Sequence, residues 1–79
     1  EADTLTSLPN RRRFSSELER AVGQAGRHGT PVAMLLIRLE GLEAINTQHG
    51  RLAGDATLVH VAALLASLIR ATDVLARID

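Results

Sequence analysis

The sequence predicts an α/β fold, and three observations carry that expectation. The run VAMLLIRL at residues 32–39 is continuously apolar but for one arginine and has strand length, so it reads as a strand covered on both faces. Segments with helical spacing of apolar residues stand on either side of it. A second strand-like stretch, DVLARID at 73–79, follows the longer of those helices, which gives the alternation of a parallel or mixed sheet.

The elements follow in chain order. DTLTSLPN at 3–10 carries turn formers, with Pro9 and Asn10 just ahead of a pattern in which Phe14, Leu18, Val22 and Ala25 recur three to four residues apart. A helix over 11–27 is expected, ended by Gly26, Gly29 and Pro31. After the strand, Leu42 and Ile45 suggest one or two helical turns, broken by NTQHG with Gly50 as the C-cap. A long amphipathic helix follows from Gly54, its stripe made of Leu58, Val61, Ala62, Leu65, Leu68 and Ile69, widened by Ala63, Leu64 and Ala66. Asp55 is expected in its first turn, where the helix dipole favours a carboxylate. No internal repeat or low-complexity linker is present.

Composition narrows the classes. The 79 residues suffice for one small domain or a part of one, and a single aromatic, Phe14, leaves a thin core of Leu, Ile, Val and Ala. Cysteine is absent, so disulfides and thiolate metal sites are excluded, in keeping with a reducing cytoplasm. Nine basic and nine acidic residues cancel, and the one basic cluster is Arg11 to Arg13, which argues against a nucleic-acid groove. Every cation is Arg; nothing physical in the sequence explains that bias. The apolar runs are too short to span a bilayer, and no signal-peptide pattern opens the chain. No Ser-His-Asp set, Walker loop or metalloprotease motif occurs.

Three motifs carry a family likeness: LTSLPNRRRF at 5–14, INTQHGRLAGD at 45–55 and RATD at 70–73. In this order and spacing the chain resembles the N-terminal half of GGDEF domains, the bacterial diguanylate cyclases and their inactive relatives. The resemblance implies a nucleotidyl cyclase-like, ferredoxin-like βαββαβ sandwich that condenses two GTP into cyclic di-GMP with Mg²⁺, working as a homodimer. It implies that Asn46 and Asp55 read guanine, an amide and a carboxylate being suited to its hydrogen-bonding edge. It implies that Arg70 and Asp73 form the inhibitory site for cyclic di-GMP.

The catalytic positions depart from the family. Arg38 falls where the resemblance puts a Mg²⁺-binding Asp, and Leu42-Glu43 fall on a usual Phe-Lys. Between a divalent ion and a unit charge about 4 Å apart, Coulomb energy is on the order of 8 kcal/mol at an effective dielectric near 20, so an attraction becomes a comparable repulsion. Glu40 shares a strand face with residue 38 and offers a carboxylate, but its simpler role is to pair with or screen Arg38. Ser7 stands for a usual Gly, Thr47 for an Asp and Arg51 for a His. The chain reaches Asp79 where the signature turn would begin, so residues 1–79 are expected to be a partial GGDEF domain. Its two strands would be non-adjacent in the sheet, with a third between them, so the isolated chain is expected to be incompletely folded or to pair with another.

Local roles stand beside each of these. Asn46 suits a loop or helix cap, Asp55 a helix N-terminus and Arg70 with Asp73 an ion pair at a helix end. His28, His49 and His60 are scattered without a second ligand at metal spacing and read as surface residues. The function expected is a degenerate, inactive GGDEF domain: a regulatory or receptor module in bacterial cyclic di-GMP signalling that binds GTP or cyclic di-GMP. No metal cofactor is expected in this chain. The competing readings are an active diguanylate cyclase with its metal site rebuilt around Glu40, and a nucleotide-free dimerisation module. The expected setting is cytoplasmic, within a larger membrane-anchored sensor.

Overall fold

Asn10 starts the first helix: its extended backbone and its Oδ1, which accepts the Arg13 N–H at 3.0 Å, satisfy one of the donors a helix start leaves open. The computed structural model describes all of residues 1–79, and this helix, α1, spans Arg11–His28. It runs through Gly26 and stops at Gly29, whose left-handed backbone (φ 68°) returns an N–H to the Ala25 carbonyl. Phe14, Leu18 and Ala25 are half-buried, whereas Val22 of the expected stripe is 57% exposed.

Two further helices, α2 (Leu42–His49) and α3 (Arg51–Leu68), form the one packed helix pair. Gly50 joins them. At φ 92° and ψ 164° it both caps α2, through its N–H on the Asn46 carbonyl, and opens α3, through its carbonyl to the Ala53 N–H. NTQH is therefore helical rather than a break, and α3 begins three residues before the expected Gly54. That correction moves Asp55 to the fifth position of α3, beyond the first turn, where the dipole contributes little.

The expected strands are the larger correction. Residues 30–40 and 74–79 carry no ladder, and the structure's one β-bridge joins Ala2 to Pro9. A strand is defined by a neighbour that takes its N–H and C=O groups in a repeating ladder; residues 30–40 have none, and 74–79 have the single bond from the Arg77 N–H to the Pro9 carbonyl. Leu35 and Leu36, expected to be covered on both faces, are 86% and 77% exposed. Both stretches, at 34–39 and 74–79, instead line an open groove of about 800 Å³ with Leu58, Val61, Ala62 and Leu65 of α3 as its floor. Only Gly54 and Ala62 are buried. The accessible surface is 6490 Å², where a compact chain of this mass exposes about 4650 Å². The radius of gyration, 14.9 Å, likewise exceeds the roughly 11.6 Å of a compact chain of this length.

α3 also qualifies one exclusion made above. Its 18 residues reach a mean hydropathy of 1.3, long and apolar enough by composition to cross a bilayer, though a core helix reaches the same figure.

The N-terminal turn closes through side chains. Asp3 Oδ2 accepts from the Thr6 N–H and hydroxyl, both at 2.8 Å, and Thr6 Oγ1 accepts the Leu8 N–H at 3.3 Å. Ser7 inside it takes a left-handed φ of 63°, the conformation for which glycine is the unstrained residue. From the other end of the chain, Arg77 Nη1 donates to both Asp3 oxygens at 3.2 and 3.1 Å, and its backbone N–H to the Pro9 carbonyl at 3.0 Å.

The Thr6 hydrogen bonds, with a smaller contribution from Arg77, hold the Asp3 carboxyl below its ordinary value of 3.8 against a burial cost that pushes it up. A lowered carboxyl lends stability that is complete above the ordinary value and lost as the pH falls through the lowered one. We therefore expect Asp3→Asn to cost about 1–3 kcal/mol at neutral pH, the range for charge-assisted hydrogen bonds. The difference from wild type should vanish in acid, below the lowered value. Denaturant unfolding of the complete domain at both pH values checks this, and equal stability at neutral pH would remove the clamp's energetic role.

Candidate functional site

Asn46 is the fifth residue of α2 and Asp55 the fifth of α3, and the turn at Gly50 brings their surroundings together. The Asn46 carboxamide lies directly against Gly54, the residue before Asp55. Its Oδ1 is sealed from solvent and accepts no hydrogen bond, while Nδ2 is likewise unbonded but not sealed. A shielded acceptor without a partner is uncommon, because the lost hydration is not repaid. The expected capping role for Asn46 falls to its backbone carbonyl; the side chain caps nothing.

The Asp55 carboxylate is 36% exposed and lies 3.8 Å from Arg51 Nε, an i,i+4 pair whose arginine is 85% exposed. Such a pair contributes little, so Asp55 is open to a ligand. The two side chains together offer an unbonded amide donor and a carboxylate acceptor held only by a weak ion pair.

Arg70 and Asp73 lie just past the other end of α3. Their relation is not the expected ion pair: Asp73 Oδ2 accepts the Arg70 backbone N–H at 3.0 Å, and the Asp73 N–H donates to the Arg70 carbonyl at 3.0 Å. Asp73 thus closes a turn and leaves the exposed Arg70 guanidinium without a partner. A helix rises 1.5 Å per residue, so Asp55 and Arg70 stand roughly 20 Å apart. One nucleobase cannot touch both.

Arg38 and Glu40 lie on the segment between α1 and α2, both exposed, and no ion pair joins them, so the expected pairing does not occur. A cation stands at residue 38, and no three His, Asp or Glu side chains converge in the structure. His28, His49 and His60 are all exposed.

Two features were not anticipated. The Asp3 and Arg77 contact spans 74 positions and has no local signal beyond the Asp-x-x-Thr turn. The seat of Asn46 on Gly54 crosses a turn whose geometry only Gly50 hints at.

The helix pair α2–α3 thus carries an open amide and a carboxylate, beside two non-helical segments that line an open groove. The chain superposes over its whole length on the solved structure of a TpbB (YfiN) mutant from Pseudomonas aeruginosa comprising only the GGDEF domain, with a TM-score of 0.95 and 38% identity. The family model "Diguanylate cyclase, GGDEF domain" matches residues 1–79, and the chain belongs to that family. It is 40% identical over 76 residues to the diguanylate cyclase TpbB of Pseudomonas aeruginosa. The same identity over the same length relates it to MucR, a bifunctional diguanylate cyclase/cyclic di-GMP phosphodiesterase of that organism. These alignments cover 96% of this chain but 18% and 11% of the relatives, and the superposition covers 46% of the solved domain. The family binds GTP, makes cyclic di-GMP and uses Mg²⁺.

Proposed function

We propose that this chain is the N-terminal part of a guanine-nucleotide-binding GGDEF module that regulates or receives cyclic di-GMP rather than making it. What supports the reading is Arg38, exposed and without an ion-pair partner where the resemblance puts a metal-binding Asp, together with the open hydrogen-bonding groups of Asn46, Asp55 and Arg70. The roughly 20 Å between the two groups supports separate subsites, GTP at Asn46 and Asp55, and cyclic di-GMP at Arg70 and Asp73. In this reading residues 32–39 and 74–79 become strands of the βαββαβ sheet when the rest of the domain supplies the strand between them. The module works as a homodimer, in the cytoplasm, attached to a larger membrane-anchored sensor.

Isothermal titration of the complete domain tests the assignment. Cyclic di-GMP binding should be lost in Arg70→Ala and GTP binding in Asp55→Ala, and incubation with GTP and Mg²⁺ or Mn²⁺ should yield no cyclic di-GMP. The names of TpbB and MucR favour a second reading, an active cyclase whose metal is held by Glu40. Product that forms in wild type and disappears in Glu40→Gln would establish it. Silence with every ligand would leave a dimerisation module.

A further inference from the structure

Gly54 is one of the two buried residues, and the reason it lacks a side chain is Asn46. A Cβ placed there would overlap Asn46 Oδ1 and stand 2.6 Å from its Cγ and 3.2 Å from its Nδ2. These are the three nearest atoms, and all belong to one carboxamide. An added methyl therefore need not drive the helices apart; it evicts the Asn46 side chain.

The seat has a polarity. Oδ1 is turned into the helix pair, sealed and unpaired, which leaves Nδ2 as the end of the carboxamide available to a ligand. Next along α3 stands Asp55, an acceptor with only a weak partner. A donor and an acceptor side by side select a base edge that offers an acceptor next to donors, as the ring nitrogen, amine and N–H of guanine do.

Resting on the guanine-nucleotide reading above, we propose that Gly54 is a positioning residue for the nucleobase: it holds the Asn46 carboxamide with Nδ2 presented beside the Asp55 carboxylate. Gly54 touches no ligand and acts through Asn46. Alanine is the better helix former, so Gly54→Ala pits a local gain in α3 against the loss of Asn46's place.

The test is a double-mutant cycle on GTP affinity in the complete domain, with wild type, Gly54→Ala, Asn46→Ala and the double variant titrated alongside their thermal midpoints. Each single variant should lose about tenfold in affinity, the worth of one hydrogen bond. The double variant should be no weaker than Asn46→Ala alone, because the eviction has nothing left to evict. A Gly54→Ala domain that keeps wild-type affinity, or whose loss adds in full to that of Asn46→Ala, overturns the proposal while GTP binding by wild type stands. A folded wild type that does not bind GTP overturns the guanine reading and this inference with it. Should Gly54→Ala fail to fold, the double variant decides: recovery of the thermal transition on removing the Asn46 side chain supports the seat, and no recovery refutes it.

Discussion

The 79-residue chain on its own is expected to melt without a cooperative transition, as a broad loss of helix with no sharp midpoint. The cause is the shortage of buried surface: two buried residues, and an accessible area of 6490 Å² that leaves Leu35, Leu36, Leu52 and Leu68 at 77–86% exposure. Ordering the backbone costs about 1–2 kcal/mol per residue, and the burial that normally offsets this, about 25 cal/mol per Å² of apolar surface, is missing along the groove. α2 and α3 support each other through the Gly50 joint, while α1 packs on neither. Amide exchange should therefore show residues 30–40 unprotected and α3 partly protected, and the complete domain should exchange slowly in both. A sharp, cooperative melt of a proven monomer would overturn this. Should the isolated chain associate instead, the unpaired 32–39 edge is where it should do so.

Arg38→Asp in the GTP-loaded complete domain should raise Mn²⁺ affinity strongly. The exchange replaces repulsion by attraction, but Arg38 is exposed, so the 8 kcal/mol figure for a partly shielded pair overstates it. With the dielectric of water, about 2 kcal/mol of repulsion becomes about 2 kcal/mol of attraction at 4 Å, a swing of roughly a thousandfold before salt screening. A gain of about tenfold or more, followed by titration of Mn²⁺ relaxation enhancement, is the expected outcome after screening. Unchanged affinity would mean that residue 38 does not face the metal position, and the argument for lost catalysis would fall with it.

The helices were legible because their signals are local. The Asn10 cap and the 3.6-residue spacing placed α1 to within one residue, and Gly50 was recognised as the end of α2. Its second role, opening α3 at once, was missed because a single glycine with a positive φ can serve two helices only if they fold back on each other, and that is a tertiary fact. Residues 32–39 have the composition of a strand, yet a ladder is a relation between segments, and no nearby sequence supplies the partner. The same division runs through the site. Asn46, Asp55, Arg70 and Asp73 could be singled out by spacing, but whether Asp73 would meet the guanidinium or the backbone of Arg70 depends on a turn the spacing does not specify. The bond between Asp3 and Arg77 lies farthest from any sequence signal and is the longest-range side-chain hydrogen bond in the structure.

That bond makes the covalent order of the chain a poor guide to how displacement travels through it. The shortest connection from Asp3 to Arg77 runs across one guanidinium and the neighbouring Pro9 carbonyl, and bypasses all three helices. The turn at the N-terminus and the stretch ending at Asp79 are therefore tied at one point, with Thr6 holding the carboxylate that receives Arg77.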